Sequence, residues 1–99
     1  MIGIQRQDEG GAVEAQFADP EILDLLLDNA TADTKCLQFI DPYGDTTFNR
    51  HQASVLAGEL EEAAAKLADR PARDRAAVLV AVVRDVAAQI HTYVKFVGD

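Results

Sequence analysis

Residues 49–91 read NRHQASVLAGELEEAAAKLADRPARDRAAVLVAVVRDVAAQIH, and this stretch decides the fold. Asn49 followed three positions later by Gln52 has the form of a capping box, in which each side chain satisfies the other residue's backbone N–H. Ala53, Leu56, Ala57, Leu60, Ala64 and Leu67 then recur at helical spacing as far as Asp69. Arg70-Pro71 interrupts the pattern, because proline is tolerated in a first helical turn but not in a helix interior. A second segment, from about Ala72 to His91, carries Leu79, Val83, Val86, Ala87 and Ile90 on one stripe. Its valines, Val78, Val80, Val82 and Val83, also suit a strand. The length of the segment and the lack of Gly or Pro inside it decide for a helix. Two long helices joined by so short a connector are expected to pack as an antiparallel pair.

Working outward, Ile2 and Ile4 alternate with polar or small residues, and the alternation resumes in Val13, Ala15 and Phe17 beyond Asp8-Glu9-Gly10-Gly11. This predicts a β-hairpin whose glycines supply the positive φ of a tight turn. Asp19-Pro20-Glu21 has the N-cap, first-turn proline and first-turn acid of a short helix running to about Asp28. Its buried stripe is Ile22, Leu23, Leu26 and Leu27, with Asp24 and Asp28 outside. Asn29 to Thr34 reads as a polar loop. Cys36 to Ile40, apolar on both faces, is expected to be a strand in the middle of the sheet. A turn through Pro42 and Gly44 should return the chain as a second arm, Thr46 to Phe48. Tyr93 to Val97 is read as a last strand. The predicted order is ββαββααβ: a single small α+β domain, with a mainly antiparallel sheet of four to five strands against two long helices and one short one.

The 99 residues are 48% hydrophobic and 26% charged, as expected of one globular domain rather than a disordered or repetitive chain. The longest apolar run, Ala76 to Val83, is far shorter than the roughly 20 residues that span a bilayer. No secretory signal is read in the first residues, so the expected location is cytoplasmic. The single Cys36 has no disulfide partner and is expected to be a small buried residue.

The net charge of −8 arises entirely in the first half, where residues 1–49 hold ten acids against Arg6 and Lys35. Nucleic-acid binding, which depends on clustered Lys and Arg, is disfavoured, and a basic protein partner is favoured. Asp24 and Asp28 are the acids expected to meet such a partner. A second surface is expected on the far side of the sheet. If Val94 and Phe96 face the helices, Tyr93, Lys95 and Val97 face away, with Ile40 beside them, as a contact for a partner or for a second copy in a homo-oligomer.

The sequence contains none of the strong cofactor or catalytic signatures, such as G-x-G-x-x-G, the phosphate-binding loop, C-x-x-C, H-E-x-x-H or G-x-S-x-G. No cofactor or metal is therefore assigned. Asp41, Tyr43 and Asp45 match positions 1, 3 and 5 of a calcium loop, but position 12 is Gln52 where a bidentate Glu is required. Those aspartates are better explained as acceptors for the backbone of their own turn. His51 opens one long helix and His91 closes the other, so an antiparallel pair would bring them to the same end. Asp41, Tyr43, Asp45, Asn49, His51, His91 and Tyr93 form the best candidate catalytic cluster, with His as base and Asp as its orienter. No nucleophile accompanies them.

Residues 39–49, FIDPYGDTTFN, and the ending 91–99, HTYVKFVGD, resemble a group of small uncharacterised bacterial proteins of similar length. The resemblance spans nearly the whole chain and implies a stand-alone bacterial protein, with no activity or site residues to carry over. The leading expectation is an acidic, non-enzymatic protein-binding module of the immunity or antitoxin type. The alternatives are a small metal-dependent or acid–base enzyme using the Asp41–His51 region with His91, and a structural homo-oligomer.

Overall fold

A computed structural model describes residues 3–28, 33–41 and 43–98. The two long helices form as the sequence predicts: α2 is Arg50–Ala65 and α3 is Arg70–Ala88. The capping box closes on α2, where Gln52 N donates to Asn49 Oδ1 and Asn49 N donates to Gln52 Oε1, both at 2.9 Å. Asp69 caps α3 by accepting from Ala72 N at 3.2 Å, and Pro71 sits in the first turn. Arg73, one turn into α3, donates to the Leu67 carbonyl just beyond α2 at 2.7 Å, while Arg84 Nε, near the other end, reaches back to Glu61 at 2.9 Å. These two contacts fix the pair as antiparallel. The seam buries Leu56, Leu60, Leu79, Val83 and Val86 completely. Ala63 points inward, and Ala64 and Leu67 are only partly buried, because α2 ends at Ala65 instead of continuing to Asp69. Ile90, expected on the buried stripe of α3, is 67% exposed, because the helix stops at Ala88 and the stripe stops with it.

Four antiparallel strands form one sheet in the order β2-β1-β4-β3, with β1 Gly3–Asp8, β2 Val13–Ala18, β3 Asp45–Asn49 and β4 Thr92–Val97. In the β1–β2 turn Gly11 has φ 86°, and Asp8 Oδ1 accepts from Gly10 N and Ala12 N at 2.9 Å. Register places Ile4 opposite Phe96 and Phe48 opposite Val94, so these four share the face that meets the helices, and all are buried. Phe48 and Phe96 pack edge to face, 6.0 Å between centroids. The short helix α1, Pro20–Asp28, buries Ile22, Leu23 and Leu26 against this core, while Leu27 is partly buried and Asp24 and Asp28 are exposed. Asp19 caps α1 through Ile22 N at 3.3 Å and receives Arg75 Nε of α3 at 2.8 Å, with a second guanidinium nitrogen on its other oxygen. The Arg75 fork holds the Asp19 carboxyl below its usual range. The predicted loop from Asn29 falls largely outside the described residues.

One element differs in kind. Cys36–Ile40 is not a strand: Leu37–Phe39 forms a 3-10 turn, so the observed order is ββαβααβ, and β3 takes β4 as its neighbour. The cause lies on α2. Glu59 accepts from the backbone N–H groups of Lys35, Cys36 and Leu37 at 2.5, 2.8 and 3.0 Å, removing the donors a strand would have offered to a ladder. Curling also accounts for the apolar pattern, since Cys36, Leu37 and Ile40 turn inward and Phe39 outward, 65% exposed. Ile40 is thus part of the core and not of the outer sheet face. Cys36 is buried with its thiol pKa raised, by burial first and by the Glu59 charge second, so it is an inert side chain, as expected.

Burial opposes the charge on Glu59, but its three backbone hydrogen bonds outweigh that cost and lower its pKa. A depressed carboxylate contributes stability that is present above its unfolded pKa, near 4.3, and is lost as pH falls through the folded value. Glu59→Ala is expected to lower unfolding free energy by about 1.5–3 kcal/mol at pH 7. The deficit should shrink as pH drops below about 4.3, as followed by urea denaturation across pH. A pH-independent deficit would show that the carboxylate charge has no part in holding the turn.

Candidate functional site

The end of the molecule where α2 begins and α3 ends gathers most of the polar residues singled out in the sequence. Asn49 closes β3 and lies opposite Tyr93 of β4, placing both on the outer face of the sheet at this end. Arg50 and His51 follow as the first residues of α2. Between α3 and β4 the chain turns through Gln89, Ile90 and His91, and this turn is held by Thr92, whose buried hydroxyl is within hydrogen-bond reach of the Val86 carbonyl at 3.0 Å and the Gln89 carbonyl at 2.9 Å. That hydroxyl supplies the unfinished end of α3 with a partner. Asn49, Arg50, His51, Ile90, His91, Thr92 and Tyr93 surround a depression of about 210 Å³. Antiparallel packing therefore does bring His51 and His91 to one site.

His91 has φ 61°, the one non-glycine left-handed residue among those described. Its Nδ1 lies 3.1 Å from Glu9 Oε2 in the β1–β2 turn. The left-handed conformation costs an L-residue about 1–2 kcal/mol, less for residues such as His than for β-branched ones.

Asp41, Tyr43 and Asp45 do not join this group. Asp45 lies opposite Val97 whereas Asn49 lies opposite Tyr93, so the two ends of β3 are about 13 Å apart at 3.3 Å per residue. Asp41 Oδ1 accepts from Tyr43 N at 2.8 Å, the turn chemistry expected of it, and Gly98 N donates to Gly44 O at 2.8 Å to fasten the turn to the end of β4. Asp45 pairs with Lys95 Nζ at 3.4 Å, and Tyr43 is 82% exposed. Among the described residues no three of His, Cys, Asp and Glu come together as metal ligands.

The outer face of the sheet carries Gln5, Gln7, Thr47, Tyr93, Lys95 and Val97 in register, each half-exposed or exposed, so the predicted surface exists but is more polar than expected. A separate groove of about 340 Å³ runs between α2 and α3, with Ala77, Val80 and Ala81 as its floor and Arg73, Arg84 and Glu61 at its rim.

Five acids of the first half pair with cations, Asp8 and Asp41 bond the backbone of their own turns, and two others face solvent. Glu14 pairs with Arg6 at 3.5 Å, Glu21 with Arg75 at 3.2 Å, and Asp19, Asp45 and Glu9 with the partners given above. Asp24 and Asp28, one turn apart on α1, are exposed and meet no cation among the described residues. Two residues that matter were not singled out in the sequence. Arg50 stands beside His51 in the depression, a neighbour the sequence does display, whereas Glu59 carries no local signal because its partners lie 22 to 24 positions earlier.

The chain matches no protein-family model, no curated protein and no solved structure. Among the described residues no helix is long and apolar enough to cross a membrane.

If His91 is held in its unusual conformation by the fold, substitution separates backbone from side chain. His91→Val should be less stable than His91→Gly by about 1–2 kcal/mol, since only glycine adopts positive φ without steric cost. Denaturant titration of both variants measures it, and equal stabilities would contradict the assignment.

Proposed function

We propose that the chain is a non-enzymatic module that binds a basic protein partner in the cytoplasm, in the manner of an immunity or antitoxin protein. The observation that supports this reading is the exposed face of α1. Asp24 and Asp28 flank Leu25, itself 39% exposed, and no cation within the described structure offsets either charge. Two arginines of the other half are used internally, Arg75 on Asp19 and Arg84 on Glu61. An apolar centre with uncompensated carboxylates at its rim is suited to steer and then seat a cationic surface. The turn bearing Phe39 and Tyr43, both largely exposed, offers aromatic side chains of the kind that anchor protein interfaces.

The acid–base enzyme reading is weaker. It takes Asp41 or Asp45 as the orienter of a histidine, and both lie at the far end of β3 from His51 and His91; the carboxylate that does meet His91 is Glu9, and among the described residues no nucleophile stands beside them.

The test is capture from native lysate at low and moderate salt, using the wild-type chain beside Asp24→Asn/Asp28→Asn. A single stoichiometric basic protein is expected with wild type. Its retention should fall about tenfold or more in the double variant and fall again as salt rises, as for steered association. Equal capture by both chains at both salt levels overturns the reading.

A further inference from the structure

The depression at the start of α2 is a second site, separate from the α1 face on which the protein-binding reading rests. Within a chain of net charge −8 it collects Arg50 and both histidines. The use made of the arginines distinguishes Arg50. Arg6 is bonded to Asp85, Arg73 to the carbonyls of Leu67 and Ala68, Arg75 to Asp19 and Glu21, and Arg84 to Glu61. Arg70 is exposed to solvent. Arg50 alone is half-buried and yet meets no carboxylate or carbonyl among the described residues. An arginine that lines a depression and has no internal acceptor keeps its donors for a ligand.

His91, in the turn between α3 and β4, lines the same depression. Its Nδ1 is engaged by Glu9, which leaves Nε2 for another contact. The amide nitrogen of Asn49 is likewise free of the capping box, which uses only its Oδ1 and backbone N–H.

We propose that this depression binds a small organic phosphate monoester, with Arg50 as the bidentate anchor and His51, His91 and the Asn49 amide as further donors. A phosphate monoester carries up to two negative charges and three strong acceptor oxygens, enough to meet the Arg50 fork together with the donors of His51, His91 and Asn49, where a single carboxylate offers only two oxygens. The volume of about 210 Å³ takes a phosphate and a small substituent, and lies below the range of sites for larger ligands. The Tyr93 ring and the exposed Ile90 give the substituent an apolar wall.

The experiment is a two-dimensional amide NMR titration of the full chain with phenyl phosphate, inorganic phosphate and benzoate in turn. Saturable shifts are expected at Arg50, His51, His91 and Tyr93, tightest for phenyl phosphate, weaker for inorganic phosphate and weakest for benzoate. Arg50→Ala and Arg50→Gln should each weaken phenyl phosphate binding about tenfold or more while leaving the spectrum folded, as loss of a charge-assisted pair requires. Absence of saturable shifts with both phosphates overturns the proposal. So does unchanged binding in a folded Arg50 variant, and a preference for benzoate overturns the phosphate assignment. Two substitutions at Arg50 guard against either one failing to fold.

Discussion

The structure depends on one pairing, that of β1 with β4. It joins Gly3–Asp8 to Thr92–Val97 at the centre of the sheet and aligns Ile4 with Phe96, both buried. On one flank β1 carries the hairpin to β2, and on the other β4 carries β3. The helices gain a floor only where these strands supply it, since Phe48, Val94 and Phe96 present the apolar face on which α2 and α3 rest. Without that face the antiparallel helices would have a seam between them but nothing beneath it.

Polar contacts then lock elements that hydrophobic burial alone would leave loosely placed. Asp19 and Arg75 tie the start of α1 to α3, Glu59 ties the 3-10 turn to α2, and Thr92 ties the end of α3 to the strand that follows. Each uses a side chain to satisfy backbone groups or charges that would otherwise be buried without partners. The ties leave different surfaces behind. The carboxylates of α1 beyond Glu21 face solvent, while Arg50 and the two histidines converge where α2 begins.

How much of this was legible in the sequence depends on how far apart the deciding residues are. Both long helices, their caps and the first hairpin could be read locally, because periodicity, Asn49 with Gln52, Asp69 with Pro71, and Gly11 act within a few residues of themselves. The meeting of His51 and His91 followed from a short connector between two helices. Cys36–Ile40 was misread because its apolar residues fit a central strand as well as a tight turn, and the arbiter, Glu59, sits on another element. The separation of Asp41 and Asp45 from the histidines was legible but not drawn. It follows from Asp45–Asn49 being extended, which alone sets its two ends about 13 Å apart, so the predicted arm Thr46 to Phe48 already implied it.

The position of β1 has a consequence for the order of events during synthesis. Its hairpin with β2 emerges from the ribosome before any helix, yet the strand that must flank it on the other side follows every helix and lies about 90 residues later. Until then one edge of β1 is unpaired, with Ile4 uncovered, and the closing contact carries the loop entropy of almost the whole domain. The glutamines, the arginine and the aspartate that alternate along Gln5-Arg6-Gln7-Asp8 make that waiting edge polar and weakly self-adhesive. An inner strand of a sheet with one open face ordinarily alternates apolar with polar residues, so Arg6, in register with buried Val94, is the departure by which β1 carries the composition of an edge into the middle of the finished sheet.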